Sequence, residues 1–216
     1  MLKLYHSPTS PYSRRVWIAL LEKELTFELG LMDLNGEQHQ PEFLALNPFH
    51  RVPVLMDDGF RVVESLAILD YLEAKYPTPA LMPTNAQAIA TVRMVQIVTS
   101  NELMPAIAPL FPILLDLPVR DLEKIEQAKQ KISTVLKFFE QLLGEQPYFG
   151  GQQLTLAEVA AGTVVPDLPL VGVSLGDYPK LSAWCDRLKS RPAWPLTQPS
   201  PEAWEAMKTR MKAVYR

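Results

Sequence analysis

The sequence predicts two halves, an α/β domain built on a mixed sheet over residues 1–78 and an all-α helical-bundle domain over residues 86–216. Two observations lead there. Up to about residue 76, short alternating apolar runs take turns with helical periodicity. Beyond a proline-rich stretch at residues 77–85, with the composition of a domain boundary, helical periodicity persists and no convincing strand appears.

Element by element, Leu2 and Leu4 followed by Tyr5 give a first strand over residues 2–5. Ser10-Pro11-Tyr12-Ser13 then opens a helix to about residue 23, through the helix-forming run Arg14-Arg15-Val16-Trp17-Ile18-Ala19-Leu20-Leu21. Residues 26–31 alternate again as a second strand. A polar stretch with Gly36 and Pro41 precedes a short helix at 41–46. Residues 53–56 and 60–63 flank Asp57-Asp58-Gly59, a hairpin signal because Asp-Gly tolerates positive φ. Ser65 starts a helix through Tyr76, ended by Pro77 and Pro79. The order β-α-β-α-β-β-α, two parallel strands joined by a crossover helix and then an antiparallel hairpin, describes a thioredoxin-like sheet. In the second half the expected helices cover residues 86–110, 120–143, 155–170, 179–190 and 201–214. Thr155-Leu156-Ala157-Glu158 has the capping-box pattern. Pro105, Pro109 and Pro112 each remove an N–H, so the first of these helices should bend or end there and leave gaps that can admit a substrate.

Composition excludes several functions. The 216 residues are 48% hydrophobic, enough for a sizeable core. Twenty-one basic against 24 acidic residues give a net charge of −3, and no basic patch argues for nucleic acid. Arg14-Arg15 is too short to count as one and is expected on a solvated helix face. The single cysteine, Cys185, permits no disulfide within the chain, suits a reducing compartment, and is expected to be a buried small hydrophobe. No apolar stretch is expected to span a bilayer, and no signal-peptide region follows residue 5, so the protein is expected to be cytoplasmic, with no membrane partner. The three histidines, His6, His39 and His50, show no metal-ligand spacing, and no phosphate-binding loop is found among nine glycines.

The turn at Ser10 is the chemical feature. It stands where a thiol-redox protein carries Cys-Pro-Tyr-Cys, with both sulfurs replaced by hydroxyls. It cannot exchange disulfides. It can still present a helix N-terminus to an anion, and a thiolate carried in by a ligand is such an anion. Ser10 is otherwise an N-cap with Pro11 at the first helical position.

Four motifs in order carry a resemblance: Ser10-Pro11-Tyr12-Ser13-Arg14-Arg15-Val16, Phe43-Leu44-Ala45-Leu46-Asn47-Pro48, Arg51-Val52-Pro53-Val54-Leu55, and Glu64-Ser65-Leu66-Ala67-Ile68-Leu69-Asp70-Tyr71-Leu72. With them the chain resembles a cytosolic glutathione S-transferase of the Ser type, similar to the bacterial, theta, phi and zeta groups. The resemblance is specific in residues 1–76 and loose beyond. It implies a detoxifying, stress-related enzyme that activates the glutathione thiolate and conjugates it to aryl halides, isothiocyanates or activated alkenes, with peroxidase action on organic hydroperoxides as a further possibility. No cofactor or metal is implied; reduced glutathione is the co-substrate. A homodimer is implied.

By the same resemblance Ser10 is the catalytic hydroxyl, with Ser13, Tyr12 and Tyr5 as open alternatives. Lowering a thiol pKa of about 8.5 by ~2 units needs about 2.7 kcal/mol. A hydrogen bond to a charged acceptor supplies roughly 1.5–3 kcal/mol, and the helix dipole about 0.3–1 kcal/mol. Val52 and a cis-Pro53 would pair with the tripeptide backbone, and Glu64 and Ser65 would hold its γ-glutamyl end. Gln38, His39 and Arg51 would face its glycyl carboxylate, although some relatives carry His-Lys where this chain has Gln38-His39, and Gln or Lys in place of Arg51. Tyr12, Asn101, Met104, Pro105, Ala108 and Phe111 would line the electrophile site, between the turn at residues 9–12 and the first long helix of the second half. Trp204, Met207 and Met211 are expected to form a packing stripe. Rival functions are a non-catalytic scaffold module of the same architecture and a glutathione-dependent isomerase or dehalogenase. The absence of cysteine from the Ser10 turn argues against a disulfide oxidoreductase.

Overall fold

The structure is a computed structural model that describes residues 1–214; residues 215–216, the end of the expected helical domain, lie outside the described residues. The chain forms two compact units, residues 1–81 with 192–210, and residues 82–191 with the segment after 210. The first unit takes in residues 192–210, which the expected division into 1–78 and 86–216 placed in the second.

In the first unit, β1 (Leu2–His6), α1 (Pro11–Glu22), β2 (Phe27–Leu31), α2 (Pro41–Leu46), β3 (Val54–Asp57), β4 (Phe60–Val63) and α3 (Ser65–Lys75) follow the expected order. The sheet order is β2-β1-β3-β4, with β1 parallel to β2, β3 antiparallel to β1, and β4 antiparallel to β3. This is the thioredoxin-like arrangement. Leu2, Leu4 and His6 alternate onto the buried side of β1, and α1 packs on β1 and α3. Tyr5, of opposite parity, joins Met32, Phe43 and Val54 with Leu34, Leu46, Val52 and Val63 in a second cluster. Gly30 sits in register with Tyr5, and a Cβ there would approach the ring to 2.9 Å. Asp58 (φ 47°) and Gly59 (φ 87°) make the two-residue hairpin turn that Asp-Gly predicts.

Caps explain the helix ends. Ser10 caps α1, with Pro11 in the first turn. At the other end Glu24 takes φ 55°, while the amides of Glu24 and Leu25 bond to Leu21 O and Leu20 O, a Schellman closure. Lys23, 2% exposed, donates from Nζ to Tyr76 O and Pro79 O and pairs with Glu73 at 2.6 Å. The α1 end is thereby fastened to the end of α3.

The Arg14-Arg15 expectation is corrected: both side chains are buried. Arg14 donates to Trp194 O and Thr197 Oγ1, and so anchors α10 (Ala193–Leu196), a short helix that the sequence pattern did not reveal. Arg15 sets its guanidinium 4.9 Å from the Tyr12 ring centroid. Met207, in α11 (Pro201–Val214), is buried as a stripe residue should be.

The second unit begins with α4 (Ala86–Val98), capped by Asn85. The prolines redirect this helix rather than end it. A π-helical turn at Thr99–Leu103 leads into α5 (Met104–Ile107), a 3-10 turn at Ala108–Leu110, and α6 (Phe111–Leu114). Pro105 has no N–H to continue the ordinary ladder, and the amide of Met104 reaches back five residues to Thr99 O. The resulting 29-residue run, 86–114, is long and apolar enough to cross a membrane by length and composition, contrary to expectation. It packs on α7 (Leu122–Leu143) and α8 (Leu156–Ala161). The expected helix over 155–170 is α8 followed by a 3-10 segment, Val165–Val171, with Pro166 and Pro169 inside it. The capping box at Thr155 and Glu158 is formed. A helix α9 (Pro179–Lys189) carries Cys185.

At the end of β3, Asp57 is 2% exposed, and its Oδ2 accepts from Tyr71 and Tyr76 hydroxyls and from Lys75 Nζ. Burial pushes its pKa up, but these three donors together outweigh it and hold the carboxyl below its ordinary value. A depressed carboxyl stabilises the fold above its unfolded pKa, and that contribution is lost as pH falls through the folded one. Asp57→Asn is expected to lower stability by about 1.5–3 kcal/mol at neutral pH. Urea unfolding should show the deficit shrinking as the pH is taken down through the acid range, where the wild type loses the same contribution.

Candidate active site

The turn between β1 and α1 is a closed set of serine contacts. Ser10 N–H donates to Ser7 O, Ser7 N–H donates to Ser13 Oγ at 3.3 Å, and Ser13 N–H donates to Ser10 Oγ at 3.2 Å. Ser13 is fully buried, whereas Ser10 and Tyr12 are half-buried. As a cap acceptor Ser10 uses one lone pair, and its O–H proton remains available to donate elsewhere. The capping role and the donor role are therefore compatible in one side chain.

The loop before β3 is fixed by Asn47, which the sequence reading noted only within a motif. Its Oδ1 accepts from Phe49 N–H and its Nδ2 donates to Arg51 O at 2.7 Å. The Val52–Pro53 bond is cis, as expected. Gln38 turns its amide into its own loop, donating to Leu34 O and accepting from Gly36 N–H. His39 is exposed and meets His50, Nδ1 to Nδ1 at 3.0 Å. His50 was named in the sequence only as one of three histidines without metal spacing; no linear pattern links residues eleven apart across a polar loop. Arg51 is exposed.

Glu64 caps α3 in an unusual way. It takes φ 67° and ψ 115°, outside the region common for non-glycine residues, and its side chain makes no cap bond. It is exposed, and Ser65, the first helical residue, is buried. The first-turn amides of α3 are thus left without a side-chain partner from the cap.

Of the expected electrophile residues, Tyr12 belongs to the first unit and the other five to the second. Pro105 and Ala108 line a cavity of about 600 Å³ within the second unit, together with Pro109, Pro112, Leu117 and Ile125. Asn101, Met104 and Phe111 are not among its lining residues. The proline spacing did point to a gap on this helix. The contribution of the loop after α6 was not legible, because its residues show no periodicity.

Residues 4–80 match the sequence profile of the glutathione S-transferase N-terminal domain, and residues 123–187 that of the C-terminal domain. Glutathione S-transferase 3 of Zea mays is 35% identical over 208 residues, covering 91% of this chain and 92% of that one. The chain belongs to the glutathione S-transferase family. A maleylacetoacetate isomerase of Pseudomonas aeruginosa is 34% identical over 207 residues, covering 92% and 96%. The crystal structure of glutathione transferase F7 from Populus trichocarpa superimposes with a TM-score of 0.79 at 33% identity, covering 91% of this chain and 97% of that one.

The cysteine has no place in the site. Cys185 is buried in α9, and burial pushes its thiol up to about 12. Burial thus keeps the thiol protonated at neutral pH. The native protein is expected to be inert to an aromatic disulfide reagent, and the unfolded chain to release one equivalent of chromophore promptly.

Proposed function

We propose that the chain binds reduced glutathione along the first unit, stabilises its thiolate with the Ser10 hydroxyl, and transfers it to a soft electrophile. The observation that carries this reading is the state of Ser10: a half-buried N-cap whose proton is uncommitted, at the positive end of a twelve-residue helix. Ser13 fits the role less well, since it is fully buried whereas Ser10 is half-buried. Tyr5 packs in the Met32–Phe43–Val54 cluster, and Tyr12 stacks on Arg15.

In this reading the cysteinyl backbone pairs with Val52 before cis-Pro53. The γ-glutamyl carboxylate meets the uncapped amides and hydroxyl of Ser65, and Glu64 faces the α-amino group. The glycyl carboxylate lies toward His39 and Arg51, with Gln38 holding the loop in place. The acceptor is an apolar electrophile such as an aryl halide, isothiocyanate, activated alkene or hydroperoxide. The cavity at Pro105 and Ala108 offers a proline and aliphatic wall to an apolar part of the acceptor, beside the charged Arg120, Asp121 and Lys124. A homodimer and a cytoplasmic location complete the reading.

A second reading, glutathione-dependent isomerisation, is favoured by the likeness to the Pseudomonas aeruginosa isomerase. There the thiolate adds to the substrate and leaves again. The two differ in whether glutathione is consumed, which a substrate panel with thiol counting decides.

Ser10→Ala is expected to raise the pKa of the bound thiol and to cut kcat/KM by ~10–1,000-fold. Ultraviolet thiolate absorbance against pH checks the first effect and steady-state kinetics the second. Ser10→Gly, which costs an N-cap only a few tenths of a kcal/mol, separates catalysis from helix stability. Unchanged thiol ionisation in both variants would remove Ser10 from the mechanism.

A further inference from the structure

The cavity of about 600 Å³ in the second unit has a wall of two kinds. Pro105, Ala108, Pro109 and Pro112 follow one another at i, i+3, i+4 and i+7, so a helical path brings them to one face, and that face is apolar. The loop after α6 is turned back by a Schellman closure. Asp116 stands at φ 53°, its N–H donates to Ile113 O, and Leu117 N–H donates to Pro112 O. Leu117 and Val119 then continue the apolar wall. The character changes at Arg120. Arg120 and Lys124 line the cavity with Asp121 between them. Asp121 is the N-cap of α7, and its Oδ1 accepts from Lys124 N–H at 2.9 Å. Both basic side chains are exposed, and among the described residues neither has an ion-pair partner. Two cations against one carboxylate that already serves as a cap leave this side of the cavity positive. The start of a 22-residue helix adds to that sign.

We propose that the acceptor is an amphipathic anion, an electrophile whose apolar body lies on the proline face and whose carboxylate meets Arg120 and Lys124. This rests on the glutathione reading above and narrows its acceptor class. The guanidinium of Arg120 offers a carboxylate two parallel donors, and Lys124 adds a compact point charge. A neutral acceptor of the same shape fills the apolar wall equally well and gains nothing from either cation. The selectivity is therefore a difference between an acid and its neutral counterpart, not an absolute requirement for charge. Because both cations are exposed, the preference is modest and is screened by salt.

The test compares 4-chloro-3,5-dinitrobenzoate with its methyl ester at saturating glutathione. With either compound the thiolate forms a C–S bond at the chlorine-bearing carbon, chloride leaves with the C–Cl electron pair, and the thiol proton goes to solvent. Each kcat/KM is divided by the rate constant of the uncatalysed reaction with glutathione, which removes the difference in intrinsic reactivity. The resulting ratio, acid over ester, is expected to be ~2–30 in the wild type at low salt, the range that two exposed ion pairs supply. It should decline toward 1 as salt is raised. Arg120→Gln with Lys124→Gln should bring the ratio to about 1 at every salt concentration, and Arg120→Glu with Lys124→Glu should invert it. Lys131→Gln with Lys137→Gln removes the same charge from exposed positions of α7 outside the cavity lining, and should keep the wild-type ratio. A merely structural role for the basic pair would lower both substrates together and leave the ratio unmoved. A wild-type ratio of 1, or a preference that survives in the double Gln variant, would overturn the proposal while leaving the glutathione reading intact. No glutathione consumed with either compound would overturn both.

Discussion

The hydrogen bond from Ser13 N–H to Ser10 Oγ is the contact on which the rest depends. It ends β1, starts α1, and, through Ser13 Oγ and Ser7 N–H, locks the turn between them. Because the bond uses Ser10 only as an acceptor, the helix is capped without consuming the proton that the proposed chemistry would use. The side chains that follow extend the same rigidity. Arg14 reaches across the chain to Trp194 and Thr197, and Lys23 fastens the far end of the helix to Tyr76 and Pro79. A helix gripped at both ends holds its N-terminus still, which is the condition for preorganised stabilisation of an anion.

What the sequence revealed and what it hid divide by range. The strands, the Asp-Gly hairpin and the Thr155–Glu158 capping box are legible because each is set by residues within a few positions of one another, whereas the cis-Pro53 step was legible only through the resemblance. The Schellman end of α1 is local too, but Glu24 gives no glycine signal for it. Arg14 misled because its partners lie outside the pattern, 180 residues away in the case of Trp194. The same distance hid the attachment of residues 192–210 to the first unit. Beyond α4 the prolines pointed to a bend or an end, and the chain takes the bend. A helix that loses one ladder bond can slip to i→i−5 pairing when apolar residues such as Leu103, Ala106 and Ile107 still have a core to fill.

The proposed site is legible by the same division. Ser10, Pro53 and Ser65 sit at element boundaries, where residue type and position speak together. Gln38, His39 and Arg51 lie in irregular chain, and there the structure changes their meaning. Gln38 becomes a loop brace, His39 acquires His50, and Asn47 becomes the brace beneath Arg51. None of these pairings follows from spacing, since irregular backbone has no period to predict from.

Two helix N-termini in the first unit treat their orphan amides in opposite ways, and the difference fits two kinds of anion. At α1 a serine side chain accepts from the Ser13 amide, and its own O–H is left to donate. At α3 the cap residue is Glu64, which stands at positive φ and makes no side-chain bond to the first-turn amides. Such a backbone state costs of order 1–3 kcal/mol; the hairpin and the helix on either side of Glu64 hold it in place. Bare amides suit a carboxylate, a delocalised anion that accepts several N–H bonds and is ionised in any case. A thiol is different, because its ionisation is itself the chemical step. It needs one directed donor that strengthens as charge develops on sulfur, and in the proposed reading the capping hydroxyl of Ser10 is that donor.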